Sequence, residues 1–330
     1  MKTNRIIAAG LLVLSASILF APHPAKAQVK RISILTASTG GVWYIVGSGL
    51  AKVVNKHVPN IEVSSEVTGG GLENIRLLSR GKADFIMTTD AQILNLMPDE
   101  EARKKAGFRG LFTGITSAFQ IVVRDDSPIQ SIADLKGQRL GTAALNDGGD
   151  IMARVALEAY GLTYKDGKSV RHLALGELAN AFKDGFVDAF MAGGGVPMSS
   201  VVDVTLAKKC RLIPLQEDKL EKLLQKHPEY TRSMIQKGTY KGTEKDILSF
   251  GTRTALVTLS STSDDLVYQI TRAVLENTAE LAAIHPQGQT YNPQEALSGI
   301  RTIPIHPGAI KYYREKGVWE KRPAGVLSAW

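Results

Sequence analysis

The stretch R-I-S-I-L-T-A-S-T-G-G-V-W-Y-I-V-G-S-G-L (Arg31–Leu50) changes its apolar period halfway, and that change decides the fold. Arg31–Ala37 alternates like a strand. After the S-T-G-G turn, Val42, Ile45, Val46, Leu50, Val53 and Val54 recur at helical spacing until His57–Pro59 ends the element. Ile61–Thr68 then reads as a second strand and Leu72–Arg80 as a helix closed by Gly81. Ala83–Thr89 is a third strand. A β-α-β-α-β run of this kind requires right-handed crossovers and a largely parallel sheet.

Working outward, the theme repeats. Phe119–Val123, Arg139–Ala144, Arg171–Leu175, Val187–Ala192 and Thr254–Leu259 read as strands. Helices are expected over Ile151–Tyr160, Glu177–Lys183, Gln216–Lys237 and Leu266–Leu281, with a short turn-helix at Ser131–Gly137. Two α/β lobes, linked by strands near Val122–Asp126 and Phe250–Ala255, account for the pattern. The first lobe is expected over 28–124 and 252–330, with the C-terminal helices returning to it, and the second over 125–251.

The 330 residues open with Lys2 and Arg5, an apolar run from Ile6 to Phe20, and Ala25 and Ala27 around Lys26. That is a signal-peptide pattern over 1–27, with cleavage after Ala27 and release into the periplasm; a retained anchor is the competing reading. The apolar run falls short of the roughly 20 residues a spanning helix needs. The remaining chain, roughly 300 residues, suggests two domains. The formal charge is +8, and the basic residues are spread out, with Arg103–Lys105 and Lys208–Lys209 as the densest runs. Such short runs fit solvated faces, and no nucleic-acid partner is expected. The single cysteine, Cys210, excludes an internal disulfide and reads as a small buried hydrophobe.

Enzyme motifs are missing from the sequence. It has no G-x-x-x-x-G-K-S/T, no G-x-G-x-x-G after the first strand, no H-E-x-x-H and no G-x-S-x-G. The expectation is therefore binding without catalysis, cofactor or metal. Three strand ends carry the candidate site: Ser38-Thr39-Gly40-Gly41, Thr68-Gly69-Gly70-Gly71, and Thr89-Asp90. In an open parallel sheet all three lie at the carboxyl edge, where ligands bind. Glycines there let a ligand approach the backbone, and helix N-termini present free N–H groups to an anion. The same residues can equally be helix caps and tight turns.

The runs T-A-S-T-G-G-V-W-Y-I-V-G (Thr36–Gly47), V-T-G-G-G-L-E-N-I-R-L-L (Val67–Leu78), D-L-K-G-Q-R-L-G (Asp134–Gly141), E-A-Y-G-L (Glu158–Leu162) and I-P-I-H-P-G-A-I-K-Y-Y-R-E-K-G (Ile303–Gly317) resemble the solute receptors of TRAP transporters in the TAXI subfamily. The resemblance implies a two-lobed type II periplasmic-binding-protein fold, each lobe a mostly parallel sheet flanked by helices. It also implies a cleft-bound ligand of the glutamate or 2-oxoglutarate kind, delivered to TRAP-type membrane permease subunits by a monomeric receptor. A periplasmic sensor acting on a receptor kinase is the alternative. Carried onto this chain, the first-lobe contacts are Ser38, Thr39, Gly40, Gly41, Tyr44, Thr68, Gly69, Gly70 and Asp90; Tyr44 can equally be core. His306 is expected to hold the C-terminal segment.

The second lobe departs from the family's hydroxyl-rich turn. Leu145-Asn146-Asp147-Gly148-Gly149-Asp150 keeps the glycines and substitutes an amide and two acids. Asn146, Asp147 and Gly148, with Gly194 and Gly195 of the Gly193–Gly195 run, are the second-lobe candidates. Asp147 or Asp150 can cap the following helix; if either faces the cleft, it disfavours a second carboxylate there. No arginine stands at a position suited to clamp a carboxylate.

Overall fold

A computed structural model describes residues 29–37, 39, 42–145 and 147–330. The expected leader over 1–27 therefore lies outside the described residues, as do Ser38, Gly40, Gly41 and Asn146. The chain begins as its periodicity dictates, with β1 (Lys30–Leu35), α1 (Val42–His57), β2 (Ile61–Glu66), α2 (Gly71–Ser79) and β3 (Phe85–Thr89). β1 pairs in parallel with both β2 and β3, so the order is β2-β1-β3. Two short helices, α3 (Asp90–Leu96) and α4 (Glu100–Ala106), lead into β4, which runs from Phe108 to Arg124.

β4 is far longer than the expected Phe119–Val123. Its first half carries Gly110 and Gly114, which interrupt the apolar pattern. Gly114 makes room for a ring, since a Cβ there would lie 2.1 Å from Cζ of Tyr291. Nearly every residue of the strand is buried, so no alternation betrays it.

The second half of the chain supplies β5 (Arg139–Thr142), α5 (Gly148–Ala159), β6 (Ser169–His172), α6 (Leu175–Lys183), β7 (Ala189–Gly195), α7 (Ser199–Ala207), β8 (Cys210–Leu212) and α8 (Glu217–Lys226). The helix expected over Gln216–Lys237 stops at Lys226, because Pro228 disfavours helical geometry in the residue before it. β9 (Thr231–Ile235) follows and pairs antiparallel with β10 (Ile247–Gly251). β11 (Arg253–Leu259) then returns, followed by α9 (Asp264–Glu276), α10 (Thr278–Ile284) and α11 (Pro307–Glu315). The single helix expected over Leu266–Leu281 is thus two, broken at Asn277, whose side chain donates to the Ala273 carbonyl at 2.7 Å.

The strand order is β2-β1-β3-β11-β4-β7-β5-β6, with β8 beside β4. The outer pairs β5–β6 and β5–β7 are parallel like those of β1, whereas β3–β11, β11–β4 and β4–β7 are antiparallel. The sheet is parallel at its wings and antiparallel where the chain crosses. Up to Thr116, β4 pairs with β11; from Ser117 onward it pairs with β7. The core changes at the same place. One apolar cluster, the first core, draws on Ile32–Ile115 and Ala255–Val326, and two others, together the second core, draw on residues 118–250. The first crossing falls at Ile115–Ala118, ahead of the Val122–Asp126 expected, and the return falls at Phe250–Ala255.

The C-terminal segment packs on the first core and is pinned by His306, which is fully buried. Its Nδ1 accepts from the Gly308 N–H at 3.2 Å and its Nε2 lies 3.1 Å from the Thr262 carbonyl, so a neutral ring with its proton on Nε2 satisfies both. Burial lowers its pKa accordingly. Cys210 is buried, and burial pushes its thiol up to about 11, which leaves it an inert packing residue. Among the described residues no helix is long and apolar enough to cross a membrane.

The two crossing strands touch. Ser117 N–H donates to the Thr252 carbonyl at 2.9 Å, Thr252 N–H donates to Ser117 Oγ at 3.1 Å, and the two hydroxyls are 2.7 Å apart. A Cβ on Gly251 would sit 1.7 Å from the Ser117 carbonyl oxygen. Gly251→Ala is therefore expected to cost about 2–4 kcal/mol, the upper range for overpacking against rigid backbone. Urea unfolding measures this; a midpoint unchanged from wild type would show that the two strands can separate freely.

Candidate functional site

A cavity of about 230 Å³ opens between the two cores. Its walls come from the carboxyl ends of strands and from the crossing, as open α/β sheets require. The first core contributes Val42 and Trp43 from the first turn of α1, and Thr89, Ala91 and Gln92 from the β3–α3 junction. The crossing strands contribute Ile115, Ser117, Thr252 and Thr254, and Tyr230 closes the wall just before β9. The second core contributes Asp147, Gly148, Gly149, Ile151 and Met152 from the start of α5, and Gly193, Gly194 and Gly195 from the end of β7.

Local chemistry explains this arrangement. Thr89 caps α3 by accepting from the Gln92 N–H at 3.2 Å. The Gln92 carboxamide folds over Gly71, where a Cβ would lie 2.1 Å from its Oε1. On the other wall, α5 begins so close to β7 that a Cβ on Gly149 would meet the Gly193 nitrogen at 2.9 Å. A Cβ on Gly193 would in turn meet Met152 Sδ at 2.4 Å. The glycines there serve close packing of helix start on strand end. Tyr230 is 2% exposed, and its ring meets Phe250 edge-on at 5.1 Å, so that wall is rigid.

Asp147 is the one charged side chain among the described lining residues. It caps α5, with Oδ1 accepting from the Gly149 N–H at 2.9 Å, and it remains exposed to the cavity. Among the described residues no cation pairs with it. Asp150, the other acid of the turn, is fully buried instead. Arg154 reaches it at 2.5 Å, the Tyr164 hydroxyl donates to it at 2.7 Å, and His172 lies 3.2 Å away. Of the two acids, only Asp147 lines the cavity.

Of the residues singled out from sequence, Asp147, Gly148, Gly194 and Gly195 line the cavity. Ser38, Gly40, Gly41 and Asn146 lie outside the described residues. Thr39 is exposed and Tyr44 is half-buried on α1, and neither is among the lining residues; the adjacent Trp43 takes that place. Thr68, Gly69 and Gly70 are not among the lining residues, Gly69 being exposed and the other two half-buried, and their polar groups are engaged within their own turn. The Thr68 hydroxyl donates to Asn74 Oδ1 at 2.6 Å and accepts from Gly70 N–H at 3.1 Å, and the Gly69 N–H donates to Glu73 at 2.6 Å. Asn74, with both amide hydrogens on the carbonyls of Thr36 (2.7 Å) and Met87 (2.9 Å), ties the ends of β1 and β3 together. Gly70 has φ 102°, a conformation that favours glycine.

Asp90 is also a structural residue. Its carboxylate is 1% exposed and accepts from the backbone of Arg301 (2.6 Å) and Thr302 (3.1 Å) and from the Thr302 hydroxyl (2.6 Å). It fastens the C-terminal segment beneath the site, and the cavity-facing members of that junction are Thr89, Ala91 and Gln92. Trp43 and Gln92 were within reach of sequence reasoning, since both sit in the first turn of a helix that follows a strand end. Ser117, Thr252 and Thr254 were not, because the crossing that gathers them leaves no local motif.

The two cores, the shared strand and the cleft between them define a type II periplasmic-binding-protein fold. The chain belongs to the NMT1-like family, whose profile matches residues 34–317. Solved structures with the same fold include a periplasmic sulfonate-binding protein of Methylobacillus flagellatus KT, with TM-score 0.53, 18% identity, and 80% of this chain and 72% of that one covered. The aliphatic sulphonate-binding protein of Escherichia coli has TM-score 0.51 and 17% identity over 91% and 92% of the two chains. A probable amino-acid ABC transporter extracellular-binding protein of Bacillus subtilis has TM-score 0.50 and 17% identity over 80% and 98%.

The Asp90 anchor has a pH signature. Burial raises its pKa from 3.8 to about 6, against the pull of its three hydrogen bonds. A raised carboxyl pKa favours the protonated fold, so this contribution is fully present below about 3.8 and is lost as pH rises through about 6. Asp90→Asn keeps an acceptor and cannot ionise. Between pH 4 and 6.5 wild type should lose up to about 3 kcal/mol relative to this variant, and Asp90→Ala should cost about 2–4 kcal/mol by orphaning two buried N–H groups. Urea unfolding across that range is the measurement, and parallel stability curves for wild type and Asp90→Asn would refute the assignment.

Proposed function

We propose that the protein is a periplasmic solute receptor that captures a small polar organic acid or amino acid and delivers it to a TRAP-type, cation-coupled permease. The observation that carries this reading is the position of the cavity. Its walls belong to two separate cores linked by the crossing strands and by a Gln287 bridge, so relative movement of the cores would open and close it. Of the lobes expected over 28–124 with 252–330 and over 125–251, the first boundary moves to Ile115–Ala118, because β4 passes there from one core to the other. Closure would bury a ligand from water and strengthen each hydrogen bond to it. The lining suits recognition: an indole, a methionine and two isoleucines for contact area, with hydroxyls and a carboxamide to fix orientation.

Binding rather than catalysis is favoured by the chemistry of the lining. A lone carboxylate already engaged as a helix cap has no base or nucleophile beside it among the described lining residues. The family membership and the sulfonate- and amino-acid-binding neighbours support a transport receptor. The TRAP assignment rests on the TAXI-like motifs at Thr36–Gly47 and Ile303–Gly317, and export rests on the signal-peptide pattern over 1–27.

The test is direct. Purified protein is denatured and the released small molecules are identified by mass spectrometry, with a thermal-shift panel of organic acids and amino acids alongside. A bound solute at near one-to-one occupancy is expected, and at a hundred times its Kd it should stabilise the protein by about 2.7 kcal/mol. Trp43→Ala should weaken that solute about tenfold or more while far-UV circular dichroism stays unchanged. Neither release nor shift for any solute would refute the receptor reading and point to a protein-binding adaptor.

A further inference from the structure

The charge inventory of the cavity narrows the ligand. Resting on the receptor reading, we propose that the physiological solute carries an ammonium group held by Asp147, and that Asp147 selects amino acids over the corresponding oxo acids and dicarboxylates. Three observations lead there. Among the described residues Asp147 is the only charged side chain on the cavity wall. No described lysine, arginine or histidine comes within ion-pair distance of it, whereas its near neighbour Asp150 is held by Arg154, His172 and Tyr164. The undescribed residues of the adjoining turns, Ser38, Gly40, Gly41 and Asn146, carry no charge by sequence.

A carboxylate with no cationic partner among the described residues, facing a cleft that closes on its ligand, is a repulsive element against a second anion. It is equally a ready partner for a cation, and Trp43, on the wall contributed by the first core, adds an aromatic ring to the same cavity. The first turn of α1 borders the cavity as well, and its backbone N–H groups are the ones that would take the α-carboxylate of the same solute, since Asp147 already occupies the start of α5. Ile115, Ile151 and Met152 then form the ground for an apolar side chain. An acid with no amine would leave Asp147 unpaired on closure.

Matched pairs that differ only at the amine test this: leucine with its 2-oxo acid, methionine with its 2-oxo acid, and glutamate with 2-oxoglutarate. Binding is measured by calorimetry on wild type and on Asp147→Asn, with mass spectrometry of any solute released from each. Asparagine caps helices as well as aspartate, so the Gly149 N–H keeps its acceptor and the fold is retained. Wild type should bind the amino member about tenfold or more tighter within each pair that binds, and Asp147→Asn should shrink that preference to about threefold or less.

Oxo acids bound as tightly as the amino acids by wild type would overturn the proposal and leave the receptor reading intact. A preference that survives in Asp147→Asn would do the same, as would a released solute without an amine. No binding by any pair, together with no released solute, overturns the receptor reading and the proposal with it.

Discussion

The structure depends on one strand serving two sheets. β4 pairs with β11 up to Thr116 and with β7 from Ser117, so two hydrophobic cores are built along a single backbone with no linker between them. At the exchange point the returning chain passes so close that position 251 has no space for a side chain. The hydroxyls of Ser117 and Thr252 bridge the two strands there. Everything functional follows from that crossing. Strand ends from both cores are brought to one edge, and the space left between them becomes the cavity. A second link spans the same gap, where Gln287 accepts from the Thr116 N–H at 3.1 Å and donates to the Val196 carbonyl at 3.2 Å. Among the described residues the cores are thus linked at the crossing by backbone, hydroxyl and amide hydrogen bonds.

Much of this was legible in the sequence because burial there is periodic. β1, β2, β3, α1 and α2 sit within a few residues of where the alternation and the 3.6-residue spacing place them; Gly81 ends α2 with a positive φ, and His306 holds the C-terminal segment as its place in the motif suggests. The errors have common causes. Residues 108–118 belong to a strand covered on both faces, where burial erases alternation and glycines imitate a loop. The extension of a helix past Lys226 weighed charge patterning above Pro228. The division of labour at Asn277 could not be read because both helices present the same apolar face to the first core.

The candidate site was legible only in outline. Strand ends with glycines were the right places to look, yet a residue's type did not reveal which way its polar groups were committed. Thr68 and Asp90 have the chemistry of ligand contacts, but each is satisfied internally, by Asn74 in one case and by the 301–302 backbone in the other. The partner of Asp90 is more than two hundred residues away in the chain, and no local pattern predicts it. Trp43 and Gln92 line the cavity because each stands in the first turn of a helix that starts at the sheet edge, and at α3 the Thr89 hydroxyl takes the Gln92 N–H.

That contrast defines which positions on this scaffold can set selectivity. The lining is dominated by glycine backbone, small hydroxyls and aliphatic surface, whose contacts most compact solutes could share. Changing Gly149 or Gly193 would break the contact between α5 and β7, and changing Ser117 or Thr252 would disturb the crossing, so these positions are tied to the fold. Trp43 and Asp147 are not tied in the same way, whereas the Gln92 carboxamide is partly committed, folded over Gly71 and accepting from the Thr88 and Thr89 hydroxyls. Asp147 needs only an acceptor to cap α5, a duty that serine, threonine or asparagine performs equally. The charge at that position is therefore surplus to what the helix requires, and its consequence is exerted on whatever the cleft encloses.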